Sequence, residues 1–189
     1  MKESIILSGL PGSGKSTLLK PLKERLIPAG WTFHSIGDFF KAKHRALHPD
    51  NEPTFDVWWP TTGPEINRAV NDEALALMQK GNVLLDSRFS VAYRGQLSCL
   101  AVFLTAPLET RAQRAYDSGS SLYTGKNAAQ IREILLKREQ DEYVRGQALF
   151  GEEFDYRTPA RYDLILDSGT LSVEQEVEHV KRALNSRKT

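Results

Sequence analysis

The chain has 189 residues, 40% of them hydrophobic, enough for one domain whose core needs no disulfide or structural metal. Its 25 basic and 24 acidic side chains leave a formal net charge of +1, so no global field marks nucleic acid or an anionic membrane as a partner. No run approaches the ~20 apolar residues of a membrane span, Met1-Lys2-Glu3-Ser4 carries no basic leader, and the lone Cys99 sits in an apolar run, so a soluble, cytoplasmic protein is expected.

In chain order, Ile5-Ile6-Leu7 is a continuous apolar run, as in strands covered on both faces. It leads through a glycine-rich turn into a helix predicted over about 15–27. Thr32 to Ile36 is a weaker strand, followed by a helix over 37–47. Residues 48–62 are proline-rich and irregular and contain Trp58-Trp59. Pro64 suits a first helical position and Gly81 a helix stop, bounding a helix over 64–80.

Val83-Leu84-Leu85 then reads as a strand ending in Asp86-Ser87-Arg88, and Leu100 to Leu104 as the next. Pro107 should open a helix over 107–117. Residues 118–126 are small and polar and read as a loop. A long helix over 127–149 follows, then the strand Leu164-Ile165-Leu166. Ser172 and Gln175 have the spacing of a capping box at the start of a helix over 172–185. The alternation predicts right-handed crossovers and a three-layer α/β/α sandwich around a five-stranded, mostly parallel sheet, in one domain over 1–189.

The turn Gly9-Leu10-Pro11-Gly12-Ser13-Gly14-Lys15-Ser16, followed by Thr17, matches G-x-x-x-x-G-K-S between a strand and a helix. Glycines there let successive backbone N–H groups face one anion, and the helix N-terminus adds its positive end. Lys15 should reach the β/γ-phosphates of a nucleotide and Ser16 should give its hydroxyl to Mg2+. A turn that bound nothing would not need lysine and a hydroxyl residue after its last glycine.

Ligands of parallel sheets bind beyond the carboxyl ends of strands, which places Asp86 and Arg88 beside that loop. Asp86 could hold magnesium through water and Arg88 could take a phosphate in a bidentate fork; a plain loop ion pair is the other reading. Arg111 and Arg114 share one helix face, and Arg138, Glu142 and Arg145 form a stripe on the next. Such arginines can surround a moving phosphoryl group, or be surface ion pairs with Glu109, Glu139 and Asp141. Trp58 and Trp59 suit either stacking on a base or packing a long loop. The four histidines show no metal-ligand spacing.

Together these segments resemble the nucleoside monophosphate kinases, most closely the short-lid, archaeal-type cytidylate kinases of the P-loop NTPase superfamily. The likeness is carried by residues 6–17, 35–40, 81–88 and 103–114, the run from Arg138 to Arg145, and residues 162–175. The resemblance implies ATP and Mg2+ as cofactors and transfer of the γ-phosphate to a nucleoside monophosphate, CMP or dCMP first. It implies an acceptor-binding insertion over about 37–80 and a short lid over about 115–130.

By position, Gly9, Gly12, Ser13, Gly14, Lys15, Ser16 and Thr17 would hold ATP, with Arg111 near its base and Arg114 as a phosphate ligand. Residues 167–171 would form the loop beside adenine. Ser35, Lys41, Asp86, Arg88, Arg138, Glu142 and Arg145 would serve the acceptor, with Lys15, Arg88, Arg138 and Arg145 acting in catalysis and Ser16 and Asp86 at the metal. The chain departs from the family in having Lys41 for an arginine, Asn67 for an acid and Ser87 for a glycine. Those changes and the 48–62 interval keep two other functions open: a P-loop kinase for a different small hydroxyl metabolite, and an ATP-binding module that transfers nothing.

Overall fold

A computed structural model describes residues 3–187; Met1-Lys2 and the last two positions of the expected 1–189 domain lie outside them. The described residues form β1 (Ser4–Gly9), α1 (Lys15–Leu26), β2 (Thr32–Ser35), α2 (Ile36–Leu47), the single turn α3 (Phe55–Trp58) and α4 (Pro64–Met78). They continue with β3 (Val83–Asp86), β4 (Cys99–Thr105), α5 (Leu108–Asp117), α6 (Ala128–Phe150), β5 (Leu164–Asp167) and α7 (Val173–Ser186). The sheet order is β2-β3-β1-β4-β5, and every pairing is parallel.

Periodicity explains these elements. The central strands β1, β3 and β4 are mainly apolar runs because both sheet faces are covered there, whereas the edge strands β2 and β5 are partly exposed. On one face Leu18 and Leu22 of α1 and Val177, Val180 and Leu184 of α7 pack on Ile5, Leu7 and Val102. On the other, Ala74 and Met78 of α4 pack on Ile6, Val83 and Leu85. Pro64 is the first residue of α4, whereas Pro107 proves to be the N-cap before Leu108. Gly81 stops the α4 segment with φ 76°, a left-handed conformation that costs glycine nothing. Ser172 and Gln175 make the expected capping box, and Asn127 with Gln130 makes a second at the head of α6.

Register aligns the working ends of the strands. Leu7 lies opposite Asp86, Ser35 opposite Asp86, Gly9 opposite Leu104, and Thr105 opposite Asp167. The glycine-rich turn therefore leaves the central strand at the carboxyl edge, flanked by the ends of β3 and β4. This is the crevice in which parallel sheets bind ligands.

Candidate active site

Gly12 (φ 77°) and Gly14 (φ 90°) take left-handed conformations, and Gly14 is the N-cap of α1. Close approach demands glycine as well: a Cβ on Gly9 would lie 2.8 Å from the Leu104 carbonyl, and one on Gly12 3.0 Å from that of Arg111. The curled turn faces a cavity of about 670 Å³ lined by residues 10–17 with Arg88, Arg114, Tyr123 and Arg138. The Ser13 hydroxyl is buried there without a hydrogen-bond partner. An uncapped helix N-terminus, an unpaired hydroxyl and a glycine backbone make a cradle suited to an anion.

Lys15, at the head of α1, ion-pairs with Asp86 at the end of β3. Burial lowers the Lys15 pKa, and the Asp86 charge opposes that shift. The ammonium thus stands in a poorly solvated place where its attraction to phosphate is strengthened.

A second cavity of about 350 Å³ opens on the other side of Arg88 and Arg138, which line both. Its further walls come from α2, α4, α6 and the turn after α3. Arg88 Nε lies 2.8 Å from Glu142 Oε2, but its N–H is not aligned for a hydrogen bond. Glu142 also accepts a hydrogen bond from the Tyr156 hydroxyl at 2.9 Å. Arg138 donates to the Tyr123 hydroxyl at 3.1 Å. Arg145 sits over the Trp59 ring, 4.4 Å from its centroid, with one buried nitrogen unpartnered. Desolvation lowers its pKa.

Residues 12–17 thus line the first cavity, Glu142 and Arg145 the second, and Arg88 and Arg138 both, whereas Gly9 and Asp86 line neither, Gly9 lying against Leu104 and Asp86 against Lys15. Three expected contacts are placed elsewhere. Arg111 is 4% exposed and lies beneath the loop. It donates to the carbonyls of Ala106 (3.0 Å) and Pro11 (3.1 Å) and pairs with Glu139 at 2.5 Å, so its guanidinium is consumed by structure. Lys41 is 54% exposed beside Asp38 and lines neither cavity. Ser35 uses its hydroxyl to cap α2, accepting from Gly37 N–H. Arg114 does line the first cavity, but its guanidinium donates to Ser13 O, Ser168 O and Ser168 Oγ, tying the phosphate turn to the loop after β5.

The tryptophans divide. Trp58 packs with Phe40 and Val70, whereas Trp59 lines the second cavity. Sequence reasoning missed Tyr123, Asn71 and Glu176 as lining residues. Tyr123 had a signal, being the one aromatic in a small polar loop, and Asn71 lies one turn after Asn67. Glu176 is 3% exposed in the first turns of α7, and burial pushes its carboxyl up to about 7 against the pull of Arg114.

Cytidylate kinases are among the similar curated proteins. That of Ignicoccus hospitalis is 29% identical over 180 residues, 95% of this chain and 98% of its own. That of Archaeoglobus fulgidus is 29% identical over 187 residues, covering 97% and 96%. Solved structures share the fold: an uncharacterized Eubacterium ventriosum protein (TM-score 0.68, 12% identity, 98% and 99% covered) and a shikimate kinase of Acinetobacter baumannii in complex with shikimate (0.58, 19%, 100% and 96%). The AAA domain family model matches residues 5–142. With its glycine-rich turn at the carboxyl edge of a parallel sheet, the chain belongs to the AAA domain family.

Proposed function

We propose that the protein is a nucleoside monophosphate kinase that moves the γ-phosphoryl group of ATP to a monophosphate acceptor, CMP or dCMP foremost. The observation that carries this reading is the pair of cavities meeting at Arg88 and Arg138. One has the phosphate cradle and the other an aromatic and amide lining, so donor and acceptor phosphates would meet at two shared guanidiniums. Cytidylate kinase relatives spanning nearly the whole chain support it.

Phosphoryl transfer through a loose transition state asks the protein for position and positive charge more than for covalent chemistry. Lys15 would hold the transferred phosphate's oxygens, exchanging its contact with Asp86 for them. Arg88 and Arg138 would span donor and acceptor, and Arg145 would add charge from the acceptor side. ATP fits the cradle described above, with its unpaired Ser13 hydroxyl and glycine conformations. Magnesium, when bound, would neutralise phosphate charge and draw on the Ser16 hydroxyl and, through water, Asp86. Few protein ligands are needed, since this ion keeps several waters and is held largely by phosphates.

In this reading residues 37–80 form the acceptor-binding insertion, since Phe40, Trp59 and Asn67 from that stretch line the second cavity. Residues 115–130 form a short lid, with Tyr123 reaching Arg138 from it. Closure of that segment would exclude water and complete the charge around the phosphates. The test is ADP formation from ATP and Mg2+ with CMP, dCMP, UMP, AMP and GMP in parallel. Turnover is expected with CMP and dCMP ahead of the others. Background rates with all five, together with stimulation by metabolite alcohols, would transfer the protein to a different kinase class.

A further inference from the structure

The first cavity holds a buried acid for which phosphate transfer has no use. Glu176 of α7 is 3% exposed and lines that cavity. Among the described residues no hydrogen bond or ion pair holds its carboxyl group. Arg114, the cation whose charge reaches it, directs its guanidinium to Ser13 O, Ser168 O and Ser168 Oγ instead. A buried polar group left unpaired at a cavity wall is a contact held for a ligand. Its place in the cavity says which part of the ligand. Arg88 and Arg138, shared with the second cavity, mark the end where transfer occurs, and residues 12–17 cradle the phosphates. The wall left for a nucleoside comes from α5, the loop after β5 and α7. There Ala115, Leu171 and Val173 offer apolar surface, and Glu176 stands among them as the polar edge.

We infer that Glu176 reads the base of the donor nucleotide: its acid form pairs with adenine, accepting from the amino group and donating to the neighbouring ring nitrogen, and its ionised form turns the site toward guanine. The inference rests on the reading of the first cavity as the ATP site. The acid offers one donor and one acceptor, as the adenine edge requires. The carboxylate offers acceptors only, so it sets an oxygen against the adenine ring nitrogen but takes both the ring N–H and the amino group of guanine. The acid can also meet guanine, through its carbonyl and ring N–H, so selectivity lies in what ionisation does: it loses adenine and keeps guanine. Burial pushes this carboxyl up to about 7 against the pull of Arg114, which keeps the acid present near neutral pH. Other charges around it are engaged or turned away. On α5, Asp117 lines the cavity and accepts from Gln113 at 2.9 Å. On α1, Lys15 pairs with Asp86, Arg25 with Glu178, Lys23 lies over the Phe33 ring, and Lys20 and Glu24 are exposed. The sheet brings only Asp167, at the end of β5, which accepts from Gly169 N–H. Glu174 and His179, near Glu176 on α7 itself, are exposed.

The experiment measures dissociation constants for ATP and GTP by calorimetry, with Mg2+ held constant, in the wild type and in Glu176→Gln. It spans about pH 6 to about pH 8, either side of the carboxyl's titration. The quantity read is Kd for GTP divided by Kd for ATP. Phosphate, magnesium and ribose contributions are common to both nucleotides and cancel, and neither base titrates in that range. In the wild type the ratio should fall about 10-fold as pH rises, because a group titrating near 7 goes from about 0.9 to about 0.1 protonated. Glu176→Gln offers a donor and an acceptor at every pH and should hold the ratio within about 2-fold. A flat wild-type ratio overturns the inference, since a carboxyl serving the ribose or the fold would act on both nucleotides alike. So does a Glu176→Gln ratio that falls as steeply as the wild type's. Binding of neither nucleotide at any pH would refute the ATP site, and this inference with it. Tight ATP binding without turnover of any monophosphate would refute the kinase reading alone.

Discussion

Replacing Arg111 by methionine separates a structural arginine from a nucleotide ligand. Its side chain is 5% exposed, and that of its partner Glu139 is 12% exposed. Removing one member of such a pair leaves a poorly solvated carboxylate, a loss of about 3–5 kcal/mol when burial is complete. The carbonyls of Pro11 and Ala106 lose their donor as well, at roughly 1 kcal/mol each where water cannot replace it. Partial solvent access to Glu139 argues for the low end, about 3 kcal/mol in all. Urea unfolding followed by tryptophan fluorescence would read this as a midpoint lowered by roughly 1–1.5 M, for an m-value of about 2–3 kcal/mol/M. Arg111→Met/Glu139→Met should recover a good part of the loss, because two apolar side chains leave no unpaired charge. A single variant with an unchanged midpoint but weakened ATP binding would refute the clamp and return Arg111 to the base-side role that the family resemblance implies.

Lys15→Ala should lower turnover about 10²–10³-fold, the scale of losing one transition-state donor, and full activity in a steady-state ADP assay would remove Lys15 from the phosphates. Tyr123→Phe keeps the packing of its ring with Ile131 and Leu135 but deletes the acceptor for Arg138. It should reduce kcat several-fold, leave KM for ATP nearly unchanged, and be non-additive with Arg138→Lys; additive losses would mean that the hydroxyl does not position Arg138. Glu176 has a folded pKa raised to about 7, so the folded state binds more protons than the unfolded chain between about pH 4.5 and 7. Stability should therefore fall as pH rises through that window, by on the order of 1–3 kcal/mol. Glu176→Gln should flatten the profile measured by thermal melts at several pH values, and an unaltered slope would exclude Glu176 as its source.

Much of this molecule is determined by local order in the chain. Four apolar runs and a weaker strand at Thr32 to Ile36, the alternation of helical segments between them, proline and glycine at helix ends and the Ser172 capping box specify strands and helices, because periodicity and backbone preference act within a few residues. The glycine-rich turn is equally legible: its conformation is forced by Gly12 and Gly14, and its place beyond a strand follows from the run Ile5-Ile6-Leu7. Even the carboxyl-edge position of Asp86 and Arg88 follows from a strand that ends at those charges, and that of Lys15 from the turn that precedes α1.

Charged and polar partners were decided only in three dimensions. Arg111 and Arg114 share one helix face in the sequence, yet Arg111 is buried against Glu139 and the loop carbonyls while Arg114 reaches the cavity wall. Trp58 and Trp59 are adjacent, yet one is core and the other lines a site. Lys41 belongs to a helix that contributes Phe40 to the second cavity but itself points to solvent. Burial and hydrogen-bond pairing depend on which surfaces meet across tens of residues, and an unpaired polar group draws its energetic weight from that desolvation, which no local pattern encodes.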